Sequence, residues 1–360
     1  MNIFRLAVLA CASFFIFAVF GCSALRTTRS AYVIEKDVTI PPEKASLYPD
    51  VAIVMIGDIQ CRDKQECKNL DPAVDNVNEV VGMYPESRYF LIVAGDLTQS
   101  AEDWQIEDYF KKENRIRVDK KDIIRIAGNH DVKAGLRQAY KIIGSDKLYD
   151  KREIGNVVLI SLSNWHEDAP RDNQLQKYIP DDGLAFLERE SKKALAEGKI
   201  LFILAHEKPE GAAWMGDPRS IFFWRKHNPS NVYNSKELKR VLGELSEYAK
   251  GSNGMRIVYM YGHTHAPGDW PDTVTVNDGI LYLNTSAIRT TDYFLDLRKY
   301  PKIFPKFFRK VFPWNKYSTA RVLLLKGGAD TAFLFTRNLS KDEWYDFFYV
   351  IQLGVPFEYK

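Results

Sequence analysis

The stretch "DVAIVMIGD" (Asp50–Asp58) runs through six apolar residues without a polar interruption and stops at Gly57-Asp58. A strand with one face in water alternates, so an unbroken run of this length reads as a strand covered on both faces. The next residues supply the cover. "DPAVDNVNEVVGMY" (71–84) predicts a helix, with Asp71 as N-cap, Pro72 in the first turn and Val74, Val77 and Val81 along one face. A second apolar run, "RYFLIVAGD" (88–96), a helix over 102–114 and a third strand in "DIIRIAGNHD" (122–131) repeat the unit. Residues 145–165, a helix at 181–197, "KILFILAH" (199–206) and "RIVYMY" (256–261) continue it. Strands alternating with helices predict an α/β fold with parallel strands packed between helical layers. "ARVLLLKGGADTAFLFTRN" (320–338) reads as a hairpin rejoining the core sheet, and 339–360 as a tail of helix followed by an extended end.

The strand endings share a chemistry. They are "GDIQ" (57–60), "GDLT" (95–98), "GNHD" (128–131), "LAHE" (204–207) and "YGHTH" (261–265). Gly-Asp alone is an ordinary turn. Five endings in series that use four of the chain's six histidines are hard to assign to turns. Ligands of open α/β sheets bind beyond the carboxyl ends of the strands, so these loops are expected to converge. In an extended loop, residues two apart face the same way, which would turn His263 and His265 into one pocket. Carboxylate, amide and imidazole donors suit Mn, Fe, Zn or Mg. Two such ions about 3.5–4 Å apart can hold a bridging hydroxide and clamp an in-line displacement at phosphorus.

The order and spacing of these endings resemble the calcineurin-like metallophosphoesterases, over roughly Val51 to Thr290. The resemblance implies a four-layer α-β-β-α sandwich and a phosphohydrolase with two divalent metal ions. Asp58 and His265 would hold the first metal, Asp96 would bridge both, and Asn129, His206 and His263 would complete the second. His130 would stabilise the transition state or protonate the leaving group, with Asp131 orienting it. The chain departs from the family pattern at Gln60, where the first motif usually carries histidine. Gln60 is either a weaker, harder metal ligand or a hydrogen-bonding neighbour of the site. The departure supports an alternative, a degenerate envelope lipoprotein that binds a phosphorylated ligand without turning it over.

The remaining features concern setting and specificity. Arg5 followed by the apolar run Leu6–Phe20 has signal-peptide proportions, and "VFGCS" (19–23) resembles the lipobox of bacterial lipoproteins. The expected organisation is a signal peptide over 1–21, lipidated Cys22 opening a stalk over 22–48, and the catalytic domain over 49–338. That predicts an exported, cell-envelope protein anchored to a membrane through lipid. In that compartment Cys61 and Cys67 are expected to form a disulfide. Insertions are expected at 207–234 and 291–319. The first includes Trp214, Phe222, Phe223 and Trp224 beside Arg219, Arg225, Lys226 and His227, and reads equally as a substrate lid or as a local mini-core. The second contains "DYFLDLRKYPKIFPKFFRKVFPWNKY" (292–317), whose aromatic-plus-basic composition suits a lipid headgroup interface, a partner surface or a packed excursion. A net charge of +3 in 360 residues gives no reason to expect binding to a nucleic-acid duplex. The expected substrate is a phosphorylated small molecule or lipid.

Overall fold

The computed structural model describes residues 33–37, 49–61, 67–68, 70–212, 231–250, 255–265, 273–288, 318–326 and 331–353. The expected signal peptide, Cys22, most of the expected stalk, residues 213–230 of the first expected insertion, the aromatic-basic segment 292–317 and the last seven residues lie outside them. No helix among the described residues is long and apolar enough to cross a membrane.

The strands are β1 (Val33–Asp37), β2 (Val51–Ile56), β3 (Arg88–Val93), β4 (Ile123–Arg125), β5 (Tyr149–Ile154), β6 (Val157–Leu162), β7 (Ile200–Ala205), β8 (Ile257–Tyr261), β9 (Val274–Asn277), β10 (Ile280–Asn284), β11 (Thr319–Lys326), β12 (Thr331–Asn338) and β13 (Glu343–Gln352). The helices are α1 (Leu70–Met83), α2 (Asp103–Glu113), α3 (Leu136–Ile143), α4 (Asp181–Ala196) and α5 (Ser235–Ala249). One sheet runs β1-β13-β12-β11-β2-β3-β4 and the other β5-β6-β7-β8-β10-β9. Strands β2, β3 and β4 are mutually parallel, as are β6, β7, β8 and β10, so each sheet presents a set of carboxyl ends at one edge.

The apolar runs are explained by what covers each face. In β2, Ile53 and Met55 point into the layer between the sheets, where they join Phe90, Ile92, Phe202, Leu204 and Met260. Ala52, Val54 and Ile56 point the other way and pack with Val74 and Val77 of α1 and Ile106 of α2. The second sheet repeats this, with Leu201 and Ile203 meeting Leu187 of α4 and Leu238 and Leu242 of α5. Two sheets with helices outside both give the α-β-β-α sandwich that the resemblance implied.

Three expectations change. The third strand is only three residues long, because the chain leaves the sheet early to form the "GNHD" loop. The C-terminal segment is a strand rather than a helix: Tyr349 and Ile351 enter the inter-sheet core, while Trp344 and Phe348 pack outward beside Phe335. Aromatics on both faces hide the alternation that would have identified it. Part of the stalk is also structured, since β1 pairs antiparallel with β13 at the edge of the sheet. Cys61 and Cys67 are joined by a disulfide with Cα atoms 4.7 Å apart, which ties the loop after β2 to the segment leading into α1. If β13 is part of the core, Ile351→Ala should destabilise the protein by about 2–5 kcal/mol in urea denaturation, as expected for a truncated core side chain. A loss below about 1 kcal/mol would mark the strand as a dispensable appendage.

Candidate metal centre

The five loops meet at the carboxyl ends of β2, β3, β4, β7 and β8. From one sheet come Asp58 and Gln60, Asp96 and Asn129; from the other come His206, His263 and His265. The sheets touch here through side chains, with His206 Nε2 3.2 Å from Asp96 Oδ2 and 3.9 Å from Asp58 Oδ1. Asp58, Asp96, His206, His263 and His265 are all buried.

Two triads emerge. Asp96, His206 and His263 offer ligand atoms within 4.8 Å of one another, and so do Asp58, Asp96 and His265. Asp96 belongs to both. Its Oδ1 accepts from the His130 backbone N–H at 2.8 Å, while Asp58 Oδ1 accepts from the His263 N–H at 3.0 Å. His206 Nδ1 donates to the Ala94 carbonyl at 2.6 Å, which leaves Nε2 facing the carboxylates. The Gln60 amide is 3.1 Å from both Asp96 Oδ2 and His265 Nε2, between ligand atoms of the triad formed by Asp58, Asp96 and His265. A half-turn of that amide exchanges Nε2 for Oε1 and converts a donor into a ligand.

The geometry is held by a strained backbone. Asp58 (φ 50°), Gln60 (46°), Asp96 (53°), His263 (63°) and His265 (52°) all occupy the left-handed region. Each such residue costs of order 1–3 kcal/mol and persists where the surroundings impose it. The "YGHTH" loop is therefore not extended, and the alternation argument for His263 and His265 does not apply. Their convergence comes from two left-handed residues separated by Thr264, and each histidine serves a different triad. Gly128 is required by close approach, since a Cβ there would sit 2.4 Å from Asp96 Oδ1 and 2.6 Å from the Asp96 backbone nitrogen.

The cluster's own charges fit a cation. Asp58 is pushed up to about 8, first by burial and further by Asp96 and Glu207, despite the opposing pull of His206. Burial also pushes Glu207 up to about 7. Burial acts to raise Asp96 too, but His206, His130 and His263 hold it well below the usual carboxylate range. His206 is raised well above an ordinary imidazole because Asp96, Glu207 and Asp58 outweigh its burial. Asp58 Oδ2 and Asn129 Oδ1 are buried without a hydrogen-bond partner. Unsatisfied oxygens beside crowded carboxylates are what a divalent cation would complete.

His130 faces the cluster through Nε2, 3.9 Å from Asp96 Oδ2. Its orientation corrects the role expected for Asp131. The Asp131 carboxylate does not reach the ring; it accepts from the backbone N–H groups of Leu97 (3.2 Å), Thr98 (2.9 Å) and Gly128 (3.1 Å) and from Thr98 Oγ1 (2.8 Å). Asp131 therefore ties the "GDLT" and "GNHD" loops together. His130 Nδ1 is met instead by Gln99 O at 2.8 Å, Gln99 Nε2 at 2.9 Å and Lys133 Nζ. His166 accepts from the Asp168 N–H and packs edge-on against Tyr178.

Sequence reasoning missed Gln99, Lys133, Asn164 and Glu207. Lys133 lies two residues past a motif and Gln99 one, so proximity to the motif was the available signal. Glu207 stands inside "LAHE", but an acid after a histidine carries no mark of its own.

The calcineurin-like phosphoesterase family profile matches residues 51–267. Among curated proteins none matches the sequence. Among solved structures, a dimetal phosphatase from Danio rerio is similar at a TM-score of 0.53 and 12% identity, covering 84% of this chain and 99% of that one. A structure of PhoD is similar at a TM-score of 0.43 and 10% identity, covering 81% and 70%, a likeness too low to carry an argument. The profile match spans most of the chain and all seven candidate ligand residues: the chain belongs to the calcineurin-like phosphoesterases.

Proposed function

We propose that this chain is a catalytically competent phosphohydrolase that cleaves a phosphate ester or anhydride with two divalent ions, Mn among them. The observation that carries the reading is the pair of triads sharing Asp96. A degenerate ligand-binder is disfavoured, because every other ligand position and His130 accompany the single departure at Gln60. When bound, a pair of divalent ions supplies Lewis-acid charge to the phosphoryl oxygens and lowers the pKa of a water for in-line attack.

The chain's residues would do the rest. Asp58, Gln60 and His265 hold one ion, Asn129, His206 and His263 the other, and Asp96 both. His130 holds a proton for the leaving oxygen at Nε2. Its Nδ1 is met by one acceptor, Gln99 O, and by two donors, Gln99 Nε2 and Lys133 Nζ; a neutral ring that accepts from the donors there carries its proton on Nε2. Burial, reinforced by the Lys133 charge, lowers the His130 pKa and favours that neutral form, although Asp96 opposes it. Asp131 keeps the two loops in register.

Aryl phosphate mono- and diesters should be hydrolysed only in the presence of a divalent metal, with activity lost on chelation and restored by Mn. Hydrolysis at an undiminished rate by metal-free protein would contradict the reading. His130→Ala should keep its bound metal, measured by elemental analysis, while turnover falls by roughly 10²–10⁴ as for a lost general acid. Unchanged turnover would remove His130 from the chemistry.

The setting is part of the same proposal: an exported enzyme tethered to a bacterial envelope membrane through Cys22, acting on a phosphorylated small molecule or lipid. The apolar run ending in "VFGCS" supports it. Cys22→Ala should move the protein from the membrane fraction to the soluble one. Mass spectrometry that finds Cys22 unmodified in the mature protein would contradict the anchor.

A further inference from the structure

Glu207 follows His206 directly at the end of β7, and its side chain is fully buried. One carboxylate oxygen is accounted for: Oε2 accepts from Asn164 Nδ2 at 2.7 Å. The backbone carbonyl is fixed as well, by the Tyr259 hydroxyl at 2.8 Å. The other carboxylate oxygen, Oε1, is buried with no hydrogen-bond partner. It lies 3.7 Å from His263 Nδ1. That nitrogen is itself 3.3 Å from His206 Nε2, the atom turned towards Asp96. The unpartnered oxygen is thus aimed at the histidine side of the centre, while Asn164 prevents the carboxylate from turning away.

A buried carboxylate with one oxygen unsatisfied is costly unless a cation compensates it. Nothing in the folding of the loop requires an acid here, since Tyr259 secures the backbone through a carbonyl that any residue would supply. We propose, building on the dinuclear reading above, that Glu207 is a third carboxylate of the centre and retains the ion held by Asp96, His206 and His263. Its charge also partly offsets the weaker donor that Gln60 brings to the neighbouring ion, leaving a bound pair of dications less cationic than two carboxylates would.

The test uses Glu207→Gln in the otherwise intact protein. Glutamine keeps the shape and can still accept from Asn164, so only the charge is removed. Titration of the metal-free proteins with Mn should show one of two ions bound roughly 10–100-fold more weakly in the variant, the range for lost outer-sphere partners. Thermal melts supply an independent readout. Removing a buried charge should leave the metal-free variant at least as heat-stable as metal-free wild type, while the rise in melting temperature on adding Mn becomes smaller. A hydrogen-bonding role alone, which glutamine preserves, would instead leave both melting temperatures and the rise on adding Mn unchanged, and would overturn the proposal. Wild-type affinity for both ions in the variant would overturn it too, as would failure of the variant to fold without metal. Failure of wild type to bind a second ion would sink the dinuclear reading itself, which is a different result from normal wild-type binding with an unaltered variant.

Discussion

The Asp96 carboxylate is shared between two sets of ligands, and much of the fold can be read as what sharing it requires. Its Oδ2 is within reach of His206 from the opposite sheet and of Gln60 from the neighbouring strand, while its Oδ1 is pinned by the His130 N–H. A charge so deeply buried would ordinarily be protonated or expelled. Here histidines from two sheets hold it ionised. That arrangement needs two sheets whose parallel strands end side by side, and the sandwich supplies them. It also needs short, strained loops, since five site residues adopt left-handed backbone and Asp96 leaves no room for a Cβ at Gly128.

The cost of such a centre is carried by the layers around it. The inter-sheet core below the loops is continuous and almost wholly apolar, from Met55 and Ile92 to Leu204 and Met260. Asp131, bound to four donors in two loops, and the disulfide from Cys61 to Cys67 brace the rim directly. The functional side chains therefore sit on loops, but on loops whose ends are fixed by buried strands. Charge balance is the complementary constraint: Asp58 and Glu207 are both driven towards protonation by burial, so the centre is complete only when it takes up positive charge.

Much of this was legible in the sequence because strand burial and loop chemistry both leave local marks. An apolar run that stops at Gly-Asp, as in Val51–Asp58, encodes a strand covered on both faces and its functional end at once. The parts that were not legible depend on distant partners. The strand Glu343–Gln352 alternates between two apolar environments, so its sequence carries no binary pattern, and the edge strand Val33–Asp37 exists only because β13 is there to pair with it. Asp131 was given an orienting role only because the resemblance implied it, whereas its carboxylate is taken up by donors of Leu97, Thr98 and Gly128. Glu207 was passed over because a buried acid next to a histidine acquires meaning only once Asn164 and His263 are brought beside it.

Metal stoichiometry of Asp96→Asn, compared with wild type by elemental analysis after loading with Mn, tests the central claim most directly. The exchange keeps the side chain's size while removing the charge that both triads use. Wild type should bind two ions per chain and the variant close to none, because a shared ligand cannot be lost from one site alone. Retention of both ions by the variant, or loss of only one, would contradict the bridging role on which this account is built.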